Sequence, residues 1–276
     1  MSEALAEAVT AELTYTLDNG QPQVNESYGP GNIYQRTNGT YEQKATRIEN
    51  GRPLASGFRL EDNGFTFVRR ASMVRDFFDK AHVAAVYYPE LIALVRELSG
   101  AKRAVVFDHT VRSGDEGERE QKLVREPVLY VHNDYTEWSG PNRARELLPA
   151  LAPDMDVEQA LAGRFAIIQV WRPIREVLEN PLAIADSRSL HEGDLVTVER
   201  RYPDRVGQTY RLKHNPAHRW FYFPRMQPEE AIVFTVYDSA RDGRARFTPH
   251  TAFKDPSSPP GAPHRQSIEA RLFAFF

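Results

Sequence analysis

Between residue 102 and the C-terminus, short apolar runs recur along the chain, separated by polar and turn-forming stretches. Runs at 103–109, 127–134, 165–171, 182–186, 194–201, 210–213, 220–223, 231–237, 245–247 and 266–275 predict strands. Helical spacing is rarer. Ser72 is placed to cap a helix carrying Val74, Phe77 and Phe78. A second helix is expected from Tyr88, where Pro89 suits a first turn and Leu91, Leu94, Val95 and Leu98 keep the helical period. Gly100 stands where a left-handed C-terminal cap belongs. Shorter helices are expected at 142–148 and 157–161. Strands this numerous, without helices regularly between them, predict a mainly β protein with flanking helices, an antiparallel sandwich or barrel rather than a doubly wound parallel sheet.

The first part of the chain has a different texture. Asn19-Gly20, Tyr28-Gly29-Pro30-Gly31-Asn32, Asn38-Gly39 and Asn50-Gly51 punctuate short extended pieces. Residues 1–60 therefore read as an arm of a few strands packed on a main body at 61–276, the whole forming a single domain. Tyr15, Tyr28, Tyr34 and Tyr41 supply the arm with something to bury. The Pro-rich stretch 255–263 reads as a loop, because the run after it is too apolar to stand alone.

Composition narrows the classes of function. Lys plus Arg (35) nearly balances Asp plus Glu (38) over 276 residues, a net charge of −3. No basic excess exists to neutralise a phosphate backbone, so nucleic-acid binding is not expected. No apolar run approaches the roughly 20 residues that span a bilayer, and the N-terminal segment lacks the charged-then-apolar layout of a secretion signal. A cytoplasmic protein is the expectation. Cysteine is absent, so a metal site would be built from His, Asp, Glu or water.

One of the eight histidines stands in a distinctive setting, Val128-Leu129-Tyr130-Val131-His132-Asn133-Asp134. Residues two apart on a strand share a face, so His132 and Asp134 would project side by side, as two ligands of one metal must. The 2-His-1-carboxylate arrangement that holds non-haem Fe(II) needs one more imidazole. His250 and His218 both qualify. The segment downstream of His250 favours it: Arg265, Ser267, Glu269 and Arg271 share one face of the last strand, and Ile268, Ala270 and Leu272 the other. An Arg beside a Ser on an inward face makes a receptor for a carboxylate. Arg271 could serve the same end or pair with Glu269.

The motifs NGFTF (63–67), YYPE (87–90), FDHTVR (107–112), HNDYT (132–136), VWRP (170–173), NPAHRW (215–220), YDS (237–239), HTAF (250–253) and RQSIEAR (265–271) together resemble the CmcJ/AsaB-like hydroxylase/desaturase family over roughly residues 60–276. The resemblance implies a double-stranded β-helix, the cupin-like jelly-roll. It also implies a dioxygenase that uses Fe(II), 2-oxoglutarate and O2 to hydroxylate or desaturate a natural-product-like small molecule, releasing succinate and CO2. By that resemblance His132, Asp134 and His250 are the iron ligands, and Arg265 with Ser267 grips the distal carboxylate of 2-oxoglutarate. The 15 positions from His250 to Arg265 sit at the long end of the family's spacing, the excess falling in 254–264.

His109, Arg112, Tyr135, Trp138, Trp171 and His218, and also Trp220, are candidates for the wall of a substrate pocket. A second class of function competes, since His-x-Asp and a distant His would equally serve a non-redox cupin-like hydrolase or isomerase, or a small-carboxylate-binding protein. The substrate, the choice between hydroxylation and desaturation, and the oligomeric state are left open by the sequence.

Overall fold

The computed structural model describes residues 6–29 and 34–276. Much of the turn at Tyr28–Asn32 lies outside the described residues. Four strands come first: β1 (Ala8–Leu17), β2 (Gln23–Tyr28), β3 (Tyr34–Thr37) and β4 (Thr40–Asn50). After β5 (Phe65–Arg69) a short turn α1 (Lys80–His82) and a π-helical Val83–Tyr87 lead into α2 (Tyr88–Ser99). Next come β6 (Arg103–Ser113), α3 (Glu116–Lys122), β7 (His132–Asn133), α4 (Ser139–Leu151), α5 (Val157–Ala162), β8 (Phe165–Pro173) and β9 (Leu182–Ala185). The chain ends with β10 (Leu195–Arg201), β11 (Val206–Leu212), β12 (Trp220–Tyr222), β13 (Glu230–Asp238), β14 (His250–Ala252) and β15 (Gln266–Phe275).

The strands form two sheets, one of order β1-β4-β12-β9-β14-β7-β11-β10-β2-β3 and one of order β5-β13-β8-β15-β6. They curl into the jelly-roll of a double-stranded β-helix. Its interior is an apolar cluster drawn from both sheets, with Ile184 and Phe221 from the larger meeting Trp171, Phe234 and Phe273 from the smaller. The outer face of the smaller sheet (Ile168, Val233, Ile268, Leu272) is covered by Leu91, Leu94 and Val95 of α2. Strand β15 thus obeys the alternation read from its sequence: Ile268, Ala270 and Leu272 bury against the helix. Ser267, Glu269 and Arg271 consequently face the interior, flanked by β8 and β6. In α2, Pro89 occupies the first turn and Gly100 closes the helix with φ +75°.

Strands β1 and β4 pair along ten residues, and β4 runs beside β12. Tyr15 of β1 is fully buried, and its hydroxyl accepts a hydrogen bond from Trp220 Nε1 at 2.9 Å. Tyr28 and Tyr34 are exposed instead, at the sheet edge. Among the described residues no helix is long and apolar enough to cross a membrane.

Three expected elements differ. Ser72 starts no helix: its hydroxyl accepts from Val74 N and donates to Glu90, while Asp79 caps the helical run instead. The stretch 127–134 contributes only the two residues of β7, because the chain before it crosses between strands, Val131 N bonding Thr14 O and Val128 O accepting from Ala252 N. Residues 245–247 form no strand, since Ala245 N bonds Glu61 O and the Arg246 guanidinium is drawn to Glu137 and to the Asp238 carbonyl.

One glycine is required by position. Gly64 has φ +84°, and a Cβ there would collide with the hydroxyls of Ser187 and Thr248. Gly64→Ala is expected to lower the free energy of unfolding by about 2–4 kcal/mol through backbone strain and overpacking. Urea midpoints test this; an unchanged midpoint would contradict it.

Candidate metal centre

The β14–β7 ladder sets His250 directly opposite His132. Their ring centroids lie 4.4 Å apart. Asp134 follows β7 by one residue, and its Oδ1 is 3.4 Å from His132 Nε2. One ligand atom from each of His132, Asp134 and His250 falls within 4.8 Å of the others. Residues far apart in sequence are thereby brought to a single point.

The orientation of each imidazole is fixed by the backbone two residues before it. His132 Nδ1 lies 2.8 Å from Tyr130 O, and His250 Nδ1 lies 3.1 Å from Thr248 O. A carbonyl only accepts, so Nδ1 carries a proton in both rings and Nε2 is the atom each can offer a metal. His250 Nε2 is buried with no hydrogen-bond partner among the described residues. Burial, with the His132 ring alongside, pushes His250 down to about 4, so it is neutral at pH 7. On Asp134, Oδ2 accepts from Gln169 Nε2 at 2.6 Å and from Arg271 Nε at 3.0 Å. Burial alone would raise this carboxyl; the Arg271 guanidinium above all outweighs it and holds the group well below the usual carboxylate range. Two imidazoles held through Nδ1 and one ionised carboxylate fit a divalent iron.

Arg265 and Ser267 lie on the interior side of the sandwich. Arg265 Nη1 donates to Asn180 O at 2.5 Å, and its guanidinium stands 5.5 Å from the Trp171 ring. Arg265 Nε and Ser267 Oγ are buried without partners among the described residues. Burial, with Arg112 nearby, pushes the Arg265 guanidinium down to about 9, which leaves it cationic at neutral pH. These free donors fit the distal carboxylate of 2-oxoglutarate. Arg271 is largely committed, with four of its five N–H donors in use: Nε goes to Asp134, Nη1 to Asp108 and Thr110, and Nη2 to Glu269.

A cavity of about 560 Å³ opens beside His132 and Asp134. His109, Arg112, Tyr135 and Trp138 line it, His109 Nδ1 lying 2.7 Å from the Tyr88 hydroxyl. Trp171, Trp220 and His218 do not line it. The first two are fully buried in apolar clusters, and His218 is held by Asp194, with Nε2 3.0 Å from its carboxylate. That contact removes His218 from the metal cluster.

Two supporting residues carried no sequence signal. Asn133, buried between His132 and Asp134, donates to Tyr135 O at 2.8 Å and Val236 O at 2.9 Å and accepts from Thr248 N at 3.0 Å. It ties β7 to β13 and to the residue two positions before His250. Gln169 steadies Asp134 from β8.

A jelly-roll presenting two imidazoles and a carboxylate inside it is the architecture of Fe(II)- and 2-oxoglutarate-dependent oxygenases. The family described as "Oxidoreductase/YMDC permease-like domain" matches residues 13–275. The chain is 31% identical to the hydroxylase/desaturase efuI of Hormonema carpetanum, covering 86% of this chain and 85% of that protein. It is 30% identical to the alpha-ketoglutarate-dependent dioxygenase phiK of a fungal species, across 99% and 98% of the two. The solved iron and alpha-ketoglutarate-dependent endoperoxidase NvfI superposes with a TM-score of 0.84 at 26% identity, covering 98% of each chain. The chain belongs to this family of hydroxylase/desaturases and is an Fe(II)/2-oxoglutarate-dependent dioxygenase acting on a small molecule.

Asn133→Ala removes the side-chain partner of two buried backbone groups, Val236 O and Thr248 N, at about 1–3 kcal/mol each, and of the part-buried Tyr135 O. It is expected to lower the melting temperature and to weaken metal binding about 10- to 100-fold. Metal titration of the variant tests this, and unchanged affinity would contradict it.

Proposed function

We propose that His132, Asp134 and His250 hold the ferrous ion, and that Arg265 with Ser267 anchors 2-oxoglutarate by its distal carboxylate. The substrate, a small natural-product-like molecule, then sits in the adjoining cavity and is hydroxylated or desaturated. The convergence of three ligand atoms within 4.8 Å carries this reading. When bound, iron and 2-oxoglutarate supply an oxidant able to take hydrogen from the substrate, with succinate and CO2 as products.

The remaining work falls to this chain's own residues. Tyr130 O and Thr248 O keep both imidazoles in the tautomer that offers Nε2. Arg271 and Gln169 hold Asp134 ionised and aimed, leaving Oδ1 toward His132. Arg265 binds at a distance from the reacting atoms, an anchor that places the co-substrate without taking part in the chemistry. His109 and Tyr135 line the cavity beside the ligands, where they would position substrate and exclude water.

Metal content separates the two histidines weighed as the third ligand. His250→Ala is expected to lose bound iron, and His218→Ala to keep it; the reverse would sink the assignment. In the same series Arg265→Leu should raise the apparent KM for 2-oxoglutarate about 10- to 100-fold, the loss of one charge-assisted pair. An unchanged requirement would place the anchor elsewhere.

A further inference from the structure

The wall of the cavity is far more cationic than the chain. Nine Lys and Arg side chains line it against three carboxylates, in a protein whose net charge is −3. Three of the nine are neutralised nearby: Lys122 by Glu118 at 2.9 Å, Arg143 by Glu146 at 2.7 Å, and Arg271 by the carboxylates already described. Lys80, Arg112, Arg125, Arg200, Arg205 and Arg211 have no carboxylate within 4.0 Å among the described residues.

Arg211 is the most telling. It sits on β11 directly opposite His132 of β7 and is 3% exposed. Its Nε and Nη1 are buried with no hydrogen-bond partner among the described residues, and the Tyr130 ring lies 5.3 Å from its guanidinium. A buried guanidinium lacking both counter-ion and acceptors is costly, and an anion arriving in the cavity removes that cost. The mouth adds a field of the same sign. Burial alone would raise the Tyr202 hydroxyl, yet Arg200 and Arg205, with Arg125, pull it below its ordinary value. Concave walls of one sign focus that field on an entering ligand. A cavity of about 560 Å³ suits a small molecule and excludes a polymer.

We propose that this cavity selects a small organic acid, its carboxylate held by Arg211, with Arg125, Arg200 and Arg205 drawing it in through the mouth. The proposal rests on the dioxygenase reading for the subsequent reaction, but the acid-binding itself needs no metal.

Calorimetry on the full chain kept metal-free with a chelator tests it, using 1-naphthylacetic acid and its uncharged amide as probes. Wild-type protein should bind the acid at least ~10-fold more tightly than the amide, as a charge-assisted pair requires. Arg211→Gln should erase that preference, and Arg265→Leu should leave it in place. Should Arg211→Gln fail to fold, the Arg200→Gln/Arg205→Gln double variant at the half-exposed mouth must cut the preference by roughly threefold or more. Equal affinities, no binding of either probe, or a preference lost in Arg265→Leu but kept in Arg211→Gln would overturn the proposal. Because the protein is metal-free here, such a failure leaves the iron-site assignment standing, to be judged by the metal content of the histidine variants.

Discussion

Two imidazoles packed 4.4 Å apart inside a sandwich can serve one metal only if each is held through Nδ1 and presents Nε2. The molecule meets this constraint with backbone. Each ring donates its Nδ1 proton to the carbonyl two residues before it, which leaves Nε2 to be offered by both, that of His132 lying 3.4 Å from Asp134 Oδ1. The carboxylate must in turn remain ionised in the same surroundings, and Arg271 secures that. Both demands are met by the protein alone, so the donor set is arranged before any metal arrives.

Arg271 carries an unusual load. Asp134, Glu269 and Asp108 all share its guanidinium, so one cation balances carboxylates from β15, β6 and the end of β7. Breaking a buried pair of this kind typically costs about 3–5 kcal/mol. Nearby Arg265 and Arg211 remain without carboxylate partners among the described residues. Charge is therefore distributed unevenly: satisfied around Asp134, and left open at Arg265 and Arg211.

The inner face of β15 and the helix at 88–99 were legible because strict alternation and a capped helical period leave few other ways to bury the apolar side. The convergence of His132, Asp134 and His250 was legible through spacing and family resemblance together, and the inward placing of Ser267 through the alternation of β15. Other features were not. An apolar run at 127–134 looks like a strand, yet its backbone is consumed by bonds to Thr14 and Ala252, which are distant in sequence. Helix α3 (Glu116–Lys122) has no apolar stripe and is announced only by its cap, Asp115. Asn133 and Gln169 are ordinary polar residues in apolar strands, and their roles exist only once β7, β8, β13 and the chain before β14 are assembled. Trp171 and Trp220 show the opposite error: large aromatics invite a place in a pocket, whereas burial in the core claimed both.

A preformed iron site with a co-substrate anchor at Arg265 is the central claim. Anaerobic addition of 2-oxoglutarate to the Fe(II)-loaded protein tests it most directly. The expected result is a visible charge-transfer band that saturates at one equivalent of 2-oxoglutarate per chain. Iron that binds without any band at saturating 2-oxoglutarate would contradict it.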